Sequence, residues 1–110
     1  MWQWYSKLAG DLSYMDVNNL LQEKREAILQ LATKHGARNV RVFGSVARHE
    51  ADEQSDIDFL VDMEPGRNLL DMGGLLMDLR ELLGREVDVV TEKGLYWLLR
   101  RRILKEARPL

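Results

Sequence analysis

Two aspartates separated by one residue, Asp56 and Asp58, are the side chains of this sequence best suited to metal chemistry. Aspartate is disfavoured in β-strands, yet both lie in a strand-like stretch, Ser-Asp-Ile-Asp-Phe-Leu-Val. Because side chains alternate between the faces of a strand, both carboxylates should share one face, with Ile57, Phe59 and Val61 on the other. Carboxylates this close repel each other unless a cation lies between them, and hard oxygen ligands favour Mg²⁺ or Mn²⁺. An isolated pair would more often be a solvated strand face.

A glycine, a serine and an arginine precede the acidic pair and suit the binding of phosphate. Gly44 lies where the preceding strand should end, and glycine there allows a sharp turn and a close approach of phosphate to the backbone. Ser45 should begin a short helix. The Ser45 hydroxyl and the free backbone N–H groups at the start of this helix can hold a phosphate, and Arg48, one turn further on, can point back to the same place. Gly-Ser alone is usually only a turn. Its position about a dozen residues before the acidic pair favours a common phosphate and metal site.

A third aspartate, Asp88, interrupts another strand-like stretch, Val-Asp-Val-Val. Val87 and Val89 should face one side of this strand and Asp88 the other. If this strand pairs beside the strand of the acidic pair, Asp88 can complete a site of three carboxylates. A polar residue on an edge strand is the simpler interpretation of Asp88 alone, but its combination with the other motifs favours a site.

The elements that must position these residues follow from the spacing of apolar side chains. Helical spacing predicts three helices, and alternation predicts three strands and a final edge segment. The predicted ranges in chain order are Val17–His35, Asn39–Phe43, Asp56–Asp62, Leu69–Leu83, Glu86–Thr91, Trp97 to about Lys105, and Ala107–Leu110. The order helix, strand, strand, helix, strand, helix predicts an α/β (α+β) fold in which helices flank a small mixed sheet.

Local signals mark several helix ends. Gly36 and Gly84 suit the left-handed position after a helix, and Asn68 with Asp71 resembles a capping box. Gly73 and Gly74 lie inside the second predicted helix, where each costs about 1 kcal/mol relative to alanine. Close packing of the backbone against a neighbour would explain both glycines.

Composition indicates one globular domain and excludes several classes of protein. The 110 residues include 45% hydrophobic and 31% charged residues, and the net charge of −2 gives no reason to expect stable DNA binding. Cysteine is absent, which excludes disulfides and thiolate sites, and His35 and His49 lack partners at zinc spacing. No apolar run approaches the roughly 20 residues of a membrane span and no signal peptide is evident, so we expect a cytoplasmic protein.

The first fifteen residues have no clean periodicity, although they contain Trp2, Trp4 and Tyr5. We expect Met1–Met15 to form an arm or short helix that packs on the domain, which would comprise residues 16–110. The alternative is a docking segment for another chain.

Together, Gly44-Ser45-x-x-Arg48, Ser55-Asp56-x-Asp58 and Asp88 resemble the signature of nucleotidyltransferases of the DNA-polymerase-β superfamily. The small size and layout resemble the minimal nucleotidyltransferase (MNT) subgroup, over roughly residues 17–110. His49 is a departure, because glycine is common at this position in the family. We expect His49 to be a solvent-facing loop residue; the alternatives are an altered turn or an imidazole near the phosphates.

The resemblance implies a role for each motif. Asp56 and Asp58 would bind the Mg²⁺ ions (or Mn²⁺) that carry the triphosphate of ATP. Asp88 would join one metal ion and help to deprotonate or orient the attacking hydroxyl. Gly44 and Ser45 would hold the β- and γ-phosphates, and Arg48 would support that loop or the charge. Ser55 is the fourth residue implied to bind the nucleotide.

The resemblance also implies a partner. Larger relatives carry a further domain for an aminoglycoside or an RNA end, for which this chain has no room. Minimal members are typically paired with a HEPN-type ribonuclease toxin, act as its antitoxin and transfer AMP to a toxin tyrosine. Two alternatives remain open: neutralisation by binding alone with a vestigial site, or modification of a small molecule or an RNA end.

Overall fold

The computed structural model of the protein describes residues 17–52 and 54–110. The arm predicted for Met1–Met15 and the predicted start of the domain at Asp16 lie outside these ranges. The described elements in chain order are α1 (Val17–Glu23), α2 (Arg25–Lys34), β1 (Ala37–Phe43), β2 (Ile57–Met63), α3 (Leu69–Leu83), β3 (Val87–Val90), a 3₁₀ turn (Glu92–Gly94), α4 (Trp97–Glu106) and β4 (Arg108–Pro109).

The described strands form a mixed sheet in the order β3-β2-β1-β4. β1 runs antiparallel to both β2 and β4, whereas β2 and β3 are parallel. The register of β1 against β2 shifts between Arg38 and Arg41, around Asn39, whose φ is 51°. The predicted fold of a small mixed sheet with flanking helices is confirmed, and the final edge segment is β4.

The hydrophobic core joins the helices α1, α2 and α3 to one face of the sheet. Its strand residues include Ile57, Phe59 and Val61, each completely buried, which confirms the apolar face predicted for β2. Leu60 is also completely buried but does not belong to this core cluster. The opposite face of β2, which carries Asp58, is therefore covered at Leu60 as well. Within the described ranges, no helix is both long and apolar enough to cross a membrane.

The prediction of one helix over Val17–His35 is wrong in one respect, because this segment forms two helices, α1 and α2. Lys24 separates α1 from α2, and its φ of −97° and ψ of 7° depart from helical values. The hydrogen bonds Lys24 N–H to Leu20 C=O and Ile28 N–H to Lys24 C=O, both 2.9 Å, span the break. Position 24 holds neither glycine nor proline, and the helical spacing of apolar residues continues across it. The sequence therefore does not mark the kink.

The helix α3 has the predicted limits because local signals define both ends. The Asn68 side chain accepts from the backbone N–H of Asp71 at 3.3 Å, and the Asp71 carboxylate accepts from the N–H of Asn68 at 2.9 Å. Gly84 ends the helix with a φ of 64°. The strands begin or end one or two residues from their predicted limits, as is usual for strand ends that no cap defines.

The two glycines inside α3 have different surroundings. A Cβ on Gly74 would lie 2.7 Å from Cε1 of His35, whose Nε2 is 2.6 Å from the carboxylate of Asp78. A Cβ on Gly73 would meet nothing within 4 Å. Close packing therefore explains Gly74 but not Gly73.

Gly73→Ala should stabilise the protein by about 1 kcal/mol, since alanine is the better helix former and no atom opposes its methyl group. Gly74→Ala should instead destabilise it by about 1 to 2 kcal/mol, because the methyl group displaces the His35 ring from Asp78. Urea denaturation of both variants measures the difference. Equal effects of the two substitutions would contradict this account of Gly74.

Candidate active site

The parallel pairing of β2 with β3 brings two of the predicted carboxylates together. Asp58 and Asp88 are direct partners in the register, one on each strand. Asp56 lies just before the first residue of β2 and is exposed. The condition stated from the sequence, that the strand of Asp88 should lie beside that of the acidic pair, is met.

Gly44 lies at the end of β1 against this acidic cluster. Its φ of 72° is in the left-handed region, and a Cβ at this position would collide with Oδ2 of Asp58. Both the turn and the contact therefore require glycine. Since β1 pairs with β2 on the side away from β3, Asp58 has the Gly44 turn on one side and Asp88 on the other.

The helix predicted to begin at Ser45 does not form. The segment makes a single turn, in which the N–H of Arg48 donates to the C=O of Gly44 at 3.1 Å. The N–H of Glu50 then donates to the C=O of Ser45, and that of His49 to the C=O of Val46, at 2.8 and 3.1 Å. These two bonds form a Schellman motif, which ends a helix. The turn is closed before a second turn can follow.

His49 occupies the left-handed position of that motif, with a φ of 60°. Glycine is favoured there because it has no Cβ, which explains physically why the family commonly has glycine after the arginine. The imidazole is exposed, and its Nδ1 lies 3.3 Å from Nδ2 of Asn18 in α1. His49 thus keeps the left-handed turn, and its ring contacts α1.

Ser55 has a different environment from Gly44 and Arg48. Its hydroxyl accepts from the N–H of Asp52 at 3.0 Å and donates to the Asp52 carboxylate at 3.1 Å. The guanidinium of Arg85 donates to the carbonyls of Asp52 and Ser55 at 2.6 and 2.9 Å. These contacts hold the loop that leads into Asp56, and the contribution of Ser55 to nucleotide binding stays a prediction.

Glu106, in the last turn of α4, is a site residue that the sequence did not reveal. Its carboxylate accepts from the N–H of Gly44 at 2.6 Å and from the guanidinium of Arg48 at 3.1 Å. Sixty-two positions separate Glu106 from Gly44, and no motif connects them. Arg85 was missed for the same reason, because its contacts depend on the tertiary arrangement of a loop.

The electrostatics of the cluster centre on Asp58. Burial, followed by the negative charges of Asp88, Asp56 and Glu106, raises the pKa of Asp58 to about 6, while Arg48 acts in the opposite direction. At neutral pH the site therefore holds a half-buried carboxylate among other carboxylates, with Arg48 as the opposing charge.

Asp58 should make the metal-free protein less stable as the pH rises. Its pKa is higher in the folded than in the unfolded chain, so folding takes up a proton between about pH 4 and 6 and loses this contribution above that range. Asp58→Asn should therefore stabilise the metal-free protein by about 1 to 2 kcal/mol at pH 7.5, a figure reduced because the side chain is only half-buried. At pH 4.5 the substitution should have a much smaller effect. Urea denaturation in EDTA measures both values, and an equal difference at the two pH values would refute the charge repulsion.

The donor set fits a divalent cation that binds together with phosphate. Among residues 17–52 and 54–110, Asp56, Asp58 and Asp88 have no hydrogen bond or ion pair that would occupy their oxygens. No group of three acidic or histidine side chains in this part of the chain already has metal-ligand geometry. Mg²⁺ commonly takes only one or two carboxylates and completes its shell with phosphate oxygens and water. The residues therefore suit a metal ion that arrives with the nucleotide.

Asp58 and Asp88 thus lie on adjacent parallel strands beside the Gly44 turn. The family model described as "Nucleotidyltransferase domain" matches residues 22–110, and the chain belongs to this family. The sequence prediction of a nucleotidyltransferase is confirmed.

Two relatives and one solved structure indicate which nucleotidyltransferases this chain resembles. The chain is 45% identical, over 79% of its length and 94% of the relative, to a candidate protein adenylyltransferase of Methanocaldococcus jannaschii. It is 39% identical, over 79% of its length and 93% of the relative, to the protein adenylyltransferase MntA of Thermococcus cleftensis. The solved structure of a candidate minimal nucleotidyltransferase is 54% identical, covers 88% of this chain and 98% of its own, and superimposes with a TM-score of 0.77. The resemblance to minimal nucleotidyltransferases is thus confirmed.

A more distant structure shares the fold. It is a toxin–antitoxin with AMP-PNP, 20% identical to this chain, with a TM-score of 0.64 over 74% of this chain and 68% of its own.

Proposed function

We propose that this protein transfers AMP from ATP to a tyrosine of a partner HEPN-type toxin in a Mg²⁺-dependent reaction, and so acts as an antitoxin. The observation that carries the proposal is the pairing of Asp58 with Asp88 beside the Gly44 turn. Relatives named protein adenylyltransferases support the chemistry, and the shared fold of a toxin–antitoxin with AMP-PNP supports a toxin as the partner. We place the reaction in the cytoplasm, where ATP is available.

The carboxylates have distinct tasks in this proposal. Asp56 and Asp58 would hold the Mg²⁺ ions, or Mn²⁺ in their place, and Asp88 would join one of them. A divalent cation held there would neutralise negative charge on the phosphates and stabilise the entering and leaving oxygens. Asp88 also orients the attacking hydroxyl and accepts its proton.

The Gly44 turn holds the triphosphate. The backbone N–H groups and the hydroxyl of Ser45 donate to the β- and γ-phosphates, and the guanidinium of Arg48 opposes their charge. The tyrosine oxygen attacks the α-phosphorus, a new P–O bond forms, and the bond from the α-phosphorus to the bridging oxygen breaks. Pyrophosphate leaves with the bonding electrons, and the toxin keeps AMP.

The test uses the protein purified with the product of its neighbouring gene. ATP labelled at the α-phosphate should label the partner in the presence of Mg²⁺, whereas ATP labelled at the γ-phosphate should not, because the γ-phosphate leaves with pyrophosphate. Mass spectrometry should then find one AMP on a tyrosine, and EDTA should abolish it.

The same assay separates the alternatives when a small-molecule pool and RNA are supplied as acceptors. Label on either, with none on the partner, would refute protein adenylylation. Stable binding of the partner without label on any acceptor would favour neutralisation by binding alone.

A further inference from the structure

Glu106 accepts hydrogen bonds from the Gly44 N–H and the Arg48 guanidinium, the groups that the proposed function assigns to phosphate binding. Its Oε2 accepts from the Gly44 N–H at 2.6 Å and from Nη1 of Arg48 at 3.2 Å, while Oε1 accepts from the same nitrogen at 3.1 Å. The Glu106 side chain is only 16% exposed, so it is held in this position rather than extended into solvent. A carboxylate thus lies at the anion-binding end of the site.

A triphosphate and Glu106 need the same donors. The Gly44 N–H is a single donor, and a carboxylate that accepts from it at 2.6 Å leaves no space there for a phosphate oxygen. A triphosphate and Glu106 would also repel each other because both are negatively charged, and Asp58 adds a further negative charge near Glu106. Phosphate can take this position only when the carboxylate moves away.

We infer that Glu106 competes with the triphosphate for Gly44 and Arg48 and thereby sets the affinity of the site for ATP. The inference rests on the proposed function, because it assumes that the Gly44 turn receives the β- and γ-phosphates. Glu106 occupies the Gly44 N–H and the Arg48 guanidinium when no nucleotide is bound, and ATP displaces it when the triphosphate enters.

The displaced carboxylate has another partner on its own helix. Nε of Arg102, one turn earlier in α4, lies 4.0 Å from Oε1 of Glu106. A change of side-chain rotamer can bring Glu106 closer to Arg102 without moving the backbone. The carboxylate of Glu106 then stays paired with Arg102, while the donors of the turn form hydrogen bonds with the phosphate.

The test compares Glu106→Gln with the parent protein, with no acceptor present, by isothermal titration calorimetry of Mg²⁺-ATP. Glutamine keeps the size and an acceptor oxygen but removes the charge that strengthens the hydrogen bonds. The dissociation constant for ATP should fall about three- to tenfold. The dissociation constant for AMP should not change, because AMP lacks the β- and γ-phosphates for which Glu106 competes.

Glu92→Gln is the matched control. Glu92 also pairs with an arginine of α4, Arg100 at 3.7 Å, but has no hydrogen bond to Gly44 or Arg48. This variant should bind ATP as the parent does. Glu106→Ala removes the competitor completely and should bind ATP at least as tightly as Glu106→Gln; circular dichroism checks that both variants are folded.

The outcomes distinguish the inference from the proposed function. Weaker or unchanged ATP binding by folded Glu106→Gln overturns the competition, since the carboxylate would then support the turn or have no influence on it. Tighter binding of ATP and AMP alike also overturns it, because the effect would not depend on the β- and γ-phosphates. Absence of ATP binding in parent and variants alike would refute the proposed nucleotide site and the inference with it.

Discussion

Replacing Asp56 and Asp58 together by asparagine should lower the rate of AMP transfer about a thousandfold or more while the protein stays folded. Asparagine keeps the size of each side chain but removes the charges that hold the metal ions in the proposed reaction. Neither side chain belongs to the hydrophobic core, so the loss should be confined to chemistry. Initial rates with α-labelled ATP measure the effect.

Asp62→Asn is the control for this substitution. Asp62 lies on the same strand, but its carboxylate accepts from Asn39 at 3.0 Å and from Arg41 at 2.9 Å and has a structural task. This variant should lose some stability and keep its transfer rate. If the double variant also keeps the parental rate, Asp56 and Asp58 do not hold the catalytic metal ions.

The same double variant should fail to protect cells that express the proposed partner toxin. If protection depends on transfer of AMP, loss of transfer removes protection even though the variant still binds the toxin. Growth after toxin induction measures protection, and the mass of the recovered toxin should lack the added AMP. Co-purification of the variant with the toxin shows whether binding is retained.

Full protection by a variant that binds the toxin but transfers no AMP would contradict enzymatic neutralisation. The toxin would then be inhibited by stoichiometric binding, and the carboxylate site would be dispensable in the cell. Loss of both binding and protection would instead assign these aspartates to the interface. Either outcome is distinct from the expected one, in which binding persists and protection is lost.

Several features of the protein were determined by neighbouring residues in the sequence. The apolar face of β2 follows from strand alternation, and burial of Ile57, Phe59 and Val61 confirms it. The limits of α3 follow from hydrogen bonds made within its own ends. Such features could be predicted because the atoms responsible are only a few residues apart.

Other features depend on contacts between distant parts of the chain. From the sequence, the position of Asp88 beside Asp58 could be predicted only on the condition that their strands pair. Strand pairing decides the register, and the whole of α3 separates the two strands in the chain. The kink at Lys24 was missed because no glycine or proline marks it, and a hydrogen-bonding motif around His49 prevented the helix expected from Ser45.

Glu106 shows most clearly what only the tertiary structure decided. The sequence identified Gly44 and Arg48 as donors for phosphate from their types and spacing. It contained no sign that a carboxylate in the last turn of α4 accepts from both. That contact exists because β3 and β4 lie at opposite edges of the sheet. The segment between them, which includes α4, crosses from one edge to the other, so α4 ends beside the Gly44 turn. Side-chain chemistry and local spacing determine which groups can bind an anion. Chain topology determines which carboxylate of the protein already contacts those groups.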